Sequence, residues 1–320
     1  MKEINFIDIE GIKVGHAQSI EDGTGCSVVI CEGGASAGVD VRGGAPGTRE
    51  TDLLNPVNLI EKIHAVVLAG GSAFGLDAAS GVMQYLEERN VGFDVGVTKV
   101  PIVSSAVLFD LTVGNSKIRP DKDMGYKACI HSENNIKDLQ GNVGAGTGAT
   151  VGKFLGPEYS MKGGLGSYCV QVGDLQVGAL IAVNCLGDVI EPENGRILAG
   201  ALKKDGTFLN TEEIMIKNYN EKKNLFAGNT TIGIVATNAI LTKSQANKVA
   251  SMAHNGYGRT MRPAHSMFDG DTLFTMATGK VESDINVIGL LAARVVERAV
   301  VNAILNASTM YGHVAYKDLL

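Results

Sequence analysis

Short apolar runs alternate with stretches of helical periodicity along the chain. Residues 26–31 and 65–69 are apolar, rich in β-branched side chains and followed by Gly-Gly pairs, which is typical of buried strands that lead into turns. Between residues 74 and 88 the apolar positions recur at helical spacing, which predicts a helix packed on a sheet. A strand at 272–277 and a long helix at 287–307 are predicted near the carboxyl end.

A hairpin and a capped helix refine this pattern. Two apolar strands between residues 168 and 185 flank the pair Gly173-Asp174, which suits a tight antiparallel turn. The spacing Thr242-x-x-Gln245 predicts a capping box that opens a helix over 242–254, with an end near Gly256. Strands that come in hairpins and helices that come in separate blocks indicate an α+β protein with helices layered over antiparallel sheets.

Composition narrows the class of protein. The chain has 320 residues, 45% of them hydrophobic and 19% charged, with 41 glycines, and no linker divides it, so a single domain over 1–320 is predicted. The net charge is −6 and no Lys/Arg cluster interleaves with aromatic residues, which argues against nucleic acid as a partner.

Location follows from the apolar segments and the cysteines. The amino terminus lacks the apolar stretch of a signal peptide. Charged residues at 294, 297 and 298 interrupt the longest apolar segment, which argues against a membrane span. Five cysteines without a Cys-x-x-Cys pair indicate free thiols and a cytoplasmic protein.

Several familiar motifs fail in detail. Residues 144–149 match a dinucleotide-binding fingerprint by count, but no clear strand precedes them. Gly152-Lys153 lacks the Ser/Thr of a phosphate-binding loop, and the Ser72 region lacks the last glycine of a nucleophile elbow, so Ser72 is interpreted as a helix N-cap. Six scattered histidines form no ligand pair. No metal or cofactor is therefore predicted, and His265, beside an acidic pair, is interpreted as structural.

The run NTTIGIVATNA at 229–239 begins with its most polar residues. A turn followed by β-branched residues explains it, and so does a chain that is cut at this point. The other candidates for chemistry are Lys153 after the glycine-rich stretch, Asn184 after the hairpin, and Asp269 and Asp271 before the next strand.

These segments together identify a resemblance. The sequence resembles the self-processing aminopeptidase family that includes D-aminopeptidases, β-peptidyl aminopeptidases and the nylon-oligomer endo-hydrolase. The motifs that carry the resemblance are RGGAPGTRETD (42–52), LAGGSAFGLDAASGVM (68–83), PIVSSAVLFDL (101–111), GAGTGATVGK (144–153), VNCLGD (183–188), NTTIGIVATNA (229–239) and FDGDTLFTMATG (268–279).

The resemblance implies a fold and a maturation step. It implies a four-layer αββα sandwich like that of the amino-terminal-nucleophile hydrolases. It also implies self-cleavage between Asn229 and Thr230, into subunits 1–229 and 230–320 that assemble as pairs into a homo-oligomer. The Asn-Thr junction matches the nylon-hydrolase branch, which has Asn-Thr, better than the aminopeptidases, which have Gly-Ser. This match favours endo-type cleavage slightly.

The chemistry explains why a cut would help. A hydroxyl needs a neighbouring base to act as a nucleophile at neutral pH, and the α-amine of an amino-terminal Thr230 has a reference pKa of about 7.7 to 8. Asn184 is the candidate for stabilising the oxyanion, and Lys153 matches the family's catalytic lysine. The resemblance gives Asp269 and Asp271 the role of holding the Thr230 hydroxyl and amine.

Other functions remain open at this stage. The predicted substrate is a small peptide or amide, but the sequence does not choose among D-amino acid amides, β-peptides, ordinary peptides and ω-amino-acid oligomers. An acyltransferase on the same scaffold would use the same acyl-enzyme with an amine as acceptor. A non-catalytic binding protein that stays uncut is the alternative outside enzymes. Arg42 and Arg49 receive no predicted role.

Overall fold

The computed structural model describes residues 1–134, 140–220 and 228–319. The strands in the described residues are β1 (Lys2–Ile4), β2 (Lys13–Ser19), β3 (Thr24–Val41), β4 (Thr48–Arg49), β5 (Ile63–Ala69), β6 (Phe93–Asp94), β7 (Lys99–Val100), β8 (Val103–Val107), β9 (Thr150–Val151), β10 (Met161–Lys162), β11 (Gly164–Val172), β12 (Leu175–Val183), β13 (Asp188–Ile190), β14 (Ile197–Ala199), β15 (Ala201–Leu202), β16 (Phe208–Leu209), β17 (Ile232–Ala239), β18 (Met261–Arg262) and β19 (Thr272–Val281). The α-helices are α1 (Ala78–Glu88), α2 (Lys122–Ser132), α3 (Thr211–Lys217), α4 (Lys243–Thr260) and α5 (Ile285–Leu305). Short 3-10 helices lie at Phe6–Asp8, Asp52–Leu54, Ser72–Asp77, Gly144–Gly146, Pro157–Tyr159 and Tyr316–Asp318.

One hydrogen-bonded path joins the main strands in the order β1-β11-β12-β17-β19-β3-β5-β8-β4, and β2 also pairs with β3. The pairs β17–β19 and β5–β8 are parallel, and the other pairs on the path are antiparallel. Strand β3 pairs with β2 through residues 24–30 and with β5 through residues 26–30 and 35, but with β19 through residues 36–41. Its register shifts between Ile30 and Ala35, where Gly34 has a φ of 73° that favours glycine. This long strand therefore passes from one sheet into a second.

Three buried clusters separate four layers of structure. The middle cluster contains Leu68 of β5 together with Ile234 of β17 and Phe274 of β19, so it lies between the two sheets. A second cluster joins α4 and α5 to the outer face of β12 and β17, and a third joins α1 and α2 to the outer face of β3 and β5. The predicted αββα sandwich is confirmed.

Strand β17 shows why the sequence is apolar from Ile232 to Ala236. Ile232 and Ile234 contribute to the cluster between the sheets, whereas Val235 contributes to the cluster under α4 and α5. Because successive side chains of a strand point to opposite faces, a strand covered on both faces reads as a continuous apolar run.

Most predicted elements are present with shifted ends. The hairpin forms as β11 and β12, with Val172 opposite Leu175 around the predicted turn. The capping box at Thr242 is present, but α4 continues past Gly256 to Thr260. A Cβ at Gly256 would lie 2.6 Å from the Ala293 carbonyl oxygen of α5. This glycine therefore permits the close crossing of α4 and α5, and the prediction that it ends the helix was wrong.

The segment before α1 also differs from the prediction. Residues Ser72–Asp77 form a 3-10 helix, and α1 begins only at Ala78. Gly71, with a φ of 80°, occupies the N-cap position, and Ser72 is the first residue of the 3-10 helix. The interpretation of Ser72 as an N-cap was therefore wrong by one residue.

Candidate active site

The Asn229-Thr230 peptide lies just before β17 and is hydrogen-bonded to the residues that precede β19. Asn229 forms an isolated parallel bridge with Asp269. In this bridge the Asn229 N–H donates to the Phe268 carbonyl over 3.4 Å, and the Gly270 N–H donates to the Asn229 carbonyl over 3.0 Å. Both Asn229 and Thr230 are buried. The parallel ladder of β17 and β19 thus extends to this peptide and fixes the direction of its carbonyl group.

Thr230 has defined partners for its hydroxyl and for its backbone nitrogen. Its hydroxyl donates to the Asn229 carbonyl oxygen and accepts from the Gly270 N–H over 3.1 Å. Its backbone N–H donates to the Asn184 carbonyl over 3.0 Å. The hydroxyl and the preceding carbonyl therefore share one backbone donor, the N–H of Gly270.

Lys153 lies beneath this peptide with its ammonium group buried. Its Nζ donates to Asn184 O over 3.0 Å, to Asn184 Oδ1 over 2.8 Å and to the Gly228 carbonyl over 3.3 Å. Burial lowers the pKa of Lys153 to about 7, and attraction to Cys185, Asp269 and Asp110 opposes that shift. The lysine thus ties Asn184 to the residue two positions before Thr230.

The side-chain amide of Asn184 has partners on both its oxygen and its nitrogen. Its Oδ1 accepts from Lys153 and from the Thr150 N–H over 2.9 Å, while its Nδ2 donates to the Phe109 carbonyl over 3.0 Å. The Asn229 carbonyl accepts from the backbone N–H of Gly270 over 3.0 Å. Sequence reasoning missed Gly270, although its place between the two aspartates marks the position.

The two aspartates are buried and act on the residues around Thr230. Asp269 accepts from the Ser266 N–H over 2.9 Å, from the Ser266 hydroxyl and from the Leu186 N–H over 3.4 Å. Asp271 accepts from the Thr231 N–H over 2.8 Å and from His265. Among the described residues, the hydrogen bonds of the two carboxylates reach Thr231, which follows Thr230, and three residues of other segments, but not the Thr230 hydroxyl or nitrogen.

Electrostatics distinguishes Asp269. Burial, and then repulsion from Asp271, raises the pKa of Asp269 to about 6, against the opposing effect of its hydrogen-bond donors. Two carboxyl groups in one dry site resist simultaneous ionisation. Clustering of shifted pKa values around one peptide is typical of functional sites.

A cleft opens onto Thr230. It has a volume of about 230 Å³. Its lining residues are Ala45, Pro46, Gly47, Ser72, Ala73, Val107, Leu108, Phe109, Gly228, Asn229, Thr230 and Phe268. The lining brings residues of five of the quoted motifs to one place, and apart from the Asn229 amide and the hydroxyls of Thr230 and Ser72 its side chains are small or apolar.

The remaining sequence candidates have structural partners. Arg42 contacts Asp40 and the Ser251 residue of α4, and Arg49 donates to Ser80 Oγ over 3.0 Å. The glycine-rich turn Gly144–Gly146 is secured by the buried Lys162, whose Nζ donates to Gly146 O and Ala149 O over 3.0 and 2.8 Å. Within the described ranges no group of three or more His, Cys, Asp or Glu side chains is arranged to hold a metal ion.

Comparison with known proteins assigns this arrangement to a family. A family model described as peptidase family S58 matches residues 5–317. An uncharacterised aminopeptidase of Mycobacterium bovis is 38% identical over 98% of this chain and 97% of its own length. A 6-aminohexanoate-oligomer endohydrolase of Kocuria sp. is 30% identical, over 88% of this chain and 77% of that protein.

A solved structure supports the fold independently. The L-aminopeptidase D-Ala-esterase/amidase of Ochrobactrum anthropi, described as a new variant of the Ntn hydrolase fold, superposes with a TM-score of 0.72. The match covers 96% of this chain and 87% of that one at 19% identity.

In the part of the chain that the structure describes, no helix is long and apolar enough to cross a membrane.

Proposed function

The chain belongs to peptidase family S58, and from that premise we propose that it is a self-processing amide-bond hydrolase with Thr230 as its nucleophile. The protein is a hydrolase of peptide or other linear amide bonds, as its family membership indicates. The observation that carries the finer proposal is the contact of the Thr230 hydroxyl with the carbonyl oxygen of its own peptide bond. The shared N–H of Gly270 adds to that support.

The first proposed step is cleavage of the chain. The Thr230 hydroxyl attacks the Asn229 carbonyl carbon, so a C–O bond forms and negative charge collects on the carbonyl oxygen. The Gly270 N–H, 3.0 Å from that oxygen, stabilises the charge. The C–N bond then breaks, the nitrogen of Thr230 takes up the hydroxyl proton, and an ester joins Asn229 to the Thr230 side chain. Water hydrolyses the ester to an Asn229 carboxylate and a free Thr230 hydroxyl.

The second step uses the new amino terminus. The nitrogen of Thr230 already donates to the Asn184 carbonyl, so the amine that cleavage releases starts from a fixed position. This amine accepts the hydroxyl proton while the hydroxyl attacks a substrate amide. The substrate's acyl group stays on Thr230 as an ester, its amine leaves with the proton, and water completes the hydrolysis.

The proposal also covers the substrate, the assembly and the location of the protein. A small peptide or linear amide fits the cleft of about 230 Å³ beside Thr230. The relatives named above are an aminopeptidase and an oligomer endohydrolase, and both classes belong in a substrate screen. We also propose a homo-oligomer of processed pairs and a cytoplasmic location. The five buried free cysteines support the location.

The test is the intact mass of freshly expressed wild type beside Thr230→Ala and Thr230→Ser. We expect wild type to yield fragments of about 24 and about 9.5 kDa, scaled by length from the 33.5 kDa chain, with the smaller beginning at Thr230. Thr230→Ala should remain whole and hydrolyse no amide, whereas Thr230→Ser keeps a hydroxyl and should cleave. A wild-type chain that stays whole, or a Thr230→Ala chain that is cut at the same bond, would refute the proposal.

A further inference from the structure

His265 makes an unusual pair of hydrogen bonds with one carboxylate oxygen. Its backbone N–H donates to Asp271 Oδ2 over 3.0 Å, and its ring Nδ1 lies 2.9 Å from the same oxygen. The residue has a φ of 60°, a left-handed conformation that is uncommon outside glycine. This conformation brings the backbone and side-chain donors of one residue onto the same acceptor.

The far side of the His265 ring is held by helix α4. The ring centroid of His254 lies 4.9 Å away at an interplanar angle of 74°, and that of Tyr257 lies 6.2 Å away. His254 Nε2 is in turn 2.9 Å from the Asp40 carbonyl of β3. A left-handed residue persists where its surroundings fix it, and here α4 and Asp271 fix it from two sides.

The other oxygen of Asp271 reaches the nucleophile's neighbour. Asp271 Oδ1 accepts from the Thr231 N–H over 2.8 Å. The Thr231 carbonyl accepts from the Thr272 N–H over 3.1 Å as the ladder of β17 and β19 begins. A continuous chain of hydrogen bonds therefore runs from the His265 ring through the Asp271 carboxylate to the residue that follows Thr230.

We propose that His265 is a positioning residue for the nucleophile: its ring fixes the Asp271 carboxylate, which fixes the Thr231 N–H and so the aim of the Thr230 hydroxyl. This role rests on the proposed self-processing function. Rotation of the Asp271 carboxylate would free the Thr231 N–H and loosen the turn at Thr230. The sequence placed His265 beside the acidic pair, but only the structure shows that it binds one member of it.

Substitutions that separate backbone from side chain test the role. His265→Gly keeps the left-handed backbone without strain but removes the ring donor. His265→Asn also tolerates this backbone, and its amide offers an N–H close to the position of Nδ1. His265→Asp has the shape of asparagine but presents a carboxylate to Asp271. Asn90→Gly is the matched control, because Asn90 follows α1 with a φ of 57°.

The measurement is the first-order rate constant of self-cleavage. Each chain is made by cell-free synthesis, synthesis is stopped, and the uncut fraction is followed over time by intact mass. Melting temperatures are measured on chains that also carry Thr230→Ala and therefore stay uncut. We expect His265→Gly to slow cleavage roughly 10- to 100-fold, the range expected when a reacting group is misplaced by up to about 1 Å. His265→Asn should return to within about threefold of wild type, and Asn90→Gly should match wild type.

The possible outcomes separate this inference from the proposed function. A wild-type chain that never cleaves refutes self-processing and this role with it. A wild-type chain that cleaves beside an equally fast His265→Gly chain refutes the role alone, as does a His265→Asn chain as slow as His265→Gly. If His265→Gly melts well below the other variants, the comparison of His265→Asn with His265→Asp, which have the same shape, replaces it. Equal self-cleavage rates for those two would overturn the positioning role of His265.

Discussion

Replacing Gly270 by alanine puts a methyl group against the proposed nucleophile. A Cβ on Gly270 would lie 2.7 Å from Thr230 Oγ1, 3.2 Å from Thr230 Cγ2 and 2.8 Å from the Ala45 carbonyl oxygen. The Ala45 segment cannot readily yield, because its own N–H donates to the Asp269 carbonyl over 2.8 Å. The Thr230 side chain is therefore the group that must move.

The size of the effect follows from these distances. Ordinary contact begins at 3.4 Å, so Thr230 Oγ1 must retreat by about 0.7 Å, and a displacement near 1 Å in a reacting group costs roughly 100-fold in rate. We expect Gly270→Ala to slow self-cleavage roughly 10- to 100-fold. The crowding should also lower the free energy of unfolding by about 1–3 kcal/mol.

The assay compares self-cleavage rate constants after cell-free synthesis, with unfolding followed in urea on uncut Thr230→Ala backgrounds. Gly258→Ala is the matched control, because a Cβ at Gly258 in α4 meets nothing within 4 Å. That control should cleave like wild type and, as alanine favours helix, be about as stable or up to about 1 kcal/mol more stable. A Gly270→Ala chain that cleaves within twofold of the wild-type rate would refute the assignment of the Gly270 N–H and the Thr230 hydroxyl to the cleavage step.

Two further substitutions address buried charges. Lys153→Met removes three hydrogen bonds to Asn184 and Gly228 and should slow self-cleavage at least about 100-fold. The control Lys243→Met removes hydrogen bonds to the carbonyls of Asn58 and Ile60 and should cleave at the wild-type rate. Equal rates for the two variants would contradict a role of Lys153 in self-cleavage. Burial, opposed by the Gly71 N–H and the Thr24 hydroxyl, raises the pKa of Asp110 from 3.8 to about 6, so the folded chain holds this proton more tightly. The contribution of Asp110 alone should therefore lower the free energy of unfolding by about 3 kcal/mol as pH rises from about 4 to 6, and Asp269, whose pKa is also raised to about 6, adds to the fall. Asp110→Asn on a Thr230→Ala background should flatten that part of the profile in urea unfolding, and an unchanged slope would show that Asp110 does not cause it.

Individual strands and helices could be predicted from the sequence because they depend on local patterns, whereas the αββα layer order and the place of the nucleophile were implied by the family resemblance. Strand β17 is apolar on both faces, and the capping box at Thr242 is complete within four residues. Each signal lies within one element, so neither requires knowledge of a partner. The motifs that carried the family resemblance likewise indicated Thr230, Lys153 and Asn184 as candidate site residues.

What the sequence did not predict depends on contacts between distant segments. Gly270 matters because the chain returns after 40 residues to pair with Asn229. His265 matters because Asp271 turns one oxygen to it and the other to Thr231. Gly256 reads as a helix end until α5 is seen to cross there. In each case a common local pattern makes a contact that only the position of a distant segment reveals.

The strand order has a consequence for the molecule's life after cleavage. A cut before Thr230 leaves β17 and β19 on the short chain, whereas their outer neighbours β12 and β3 stay on the long one. The centre of the sheet is then built from two polypeptides, and the short one is inserted between strands of the other. The uncut chain folds in a unimolecular reaction, but a processed molecule that unfolds must find its complement in a bimolecular one. The mature protein is therefore expected to persist through slow unfolding and not through ready refolding.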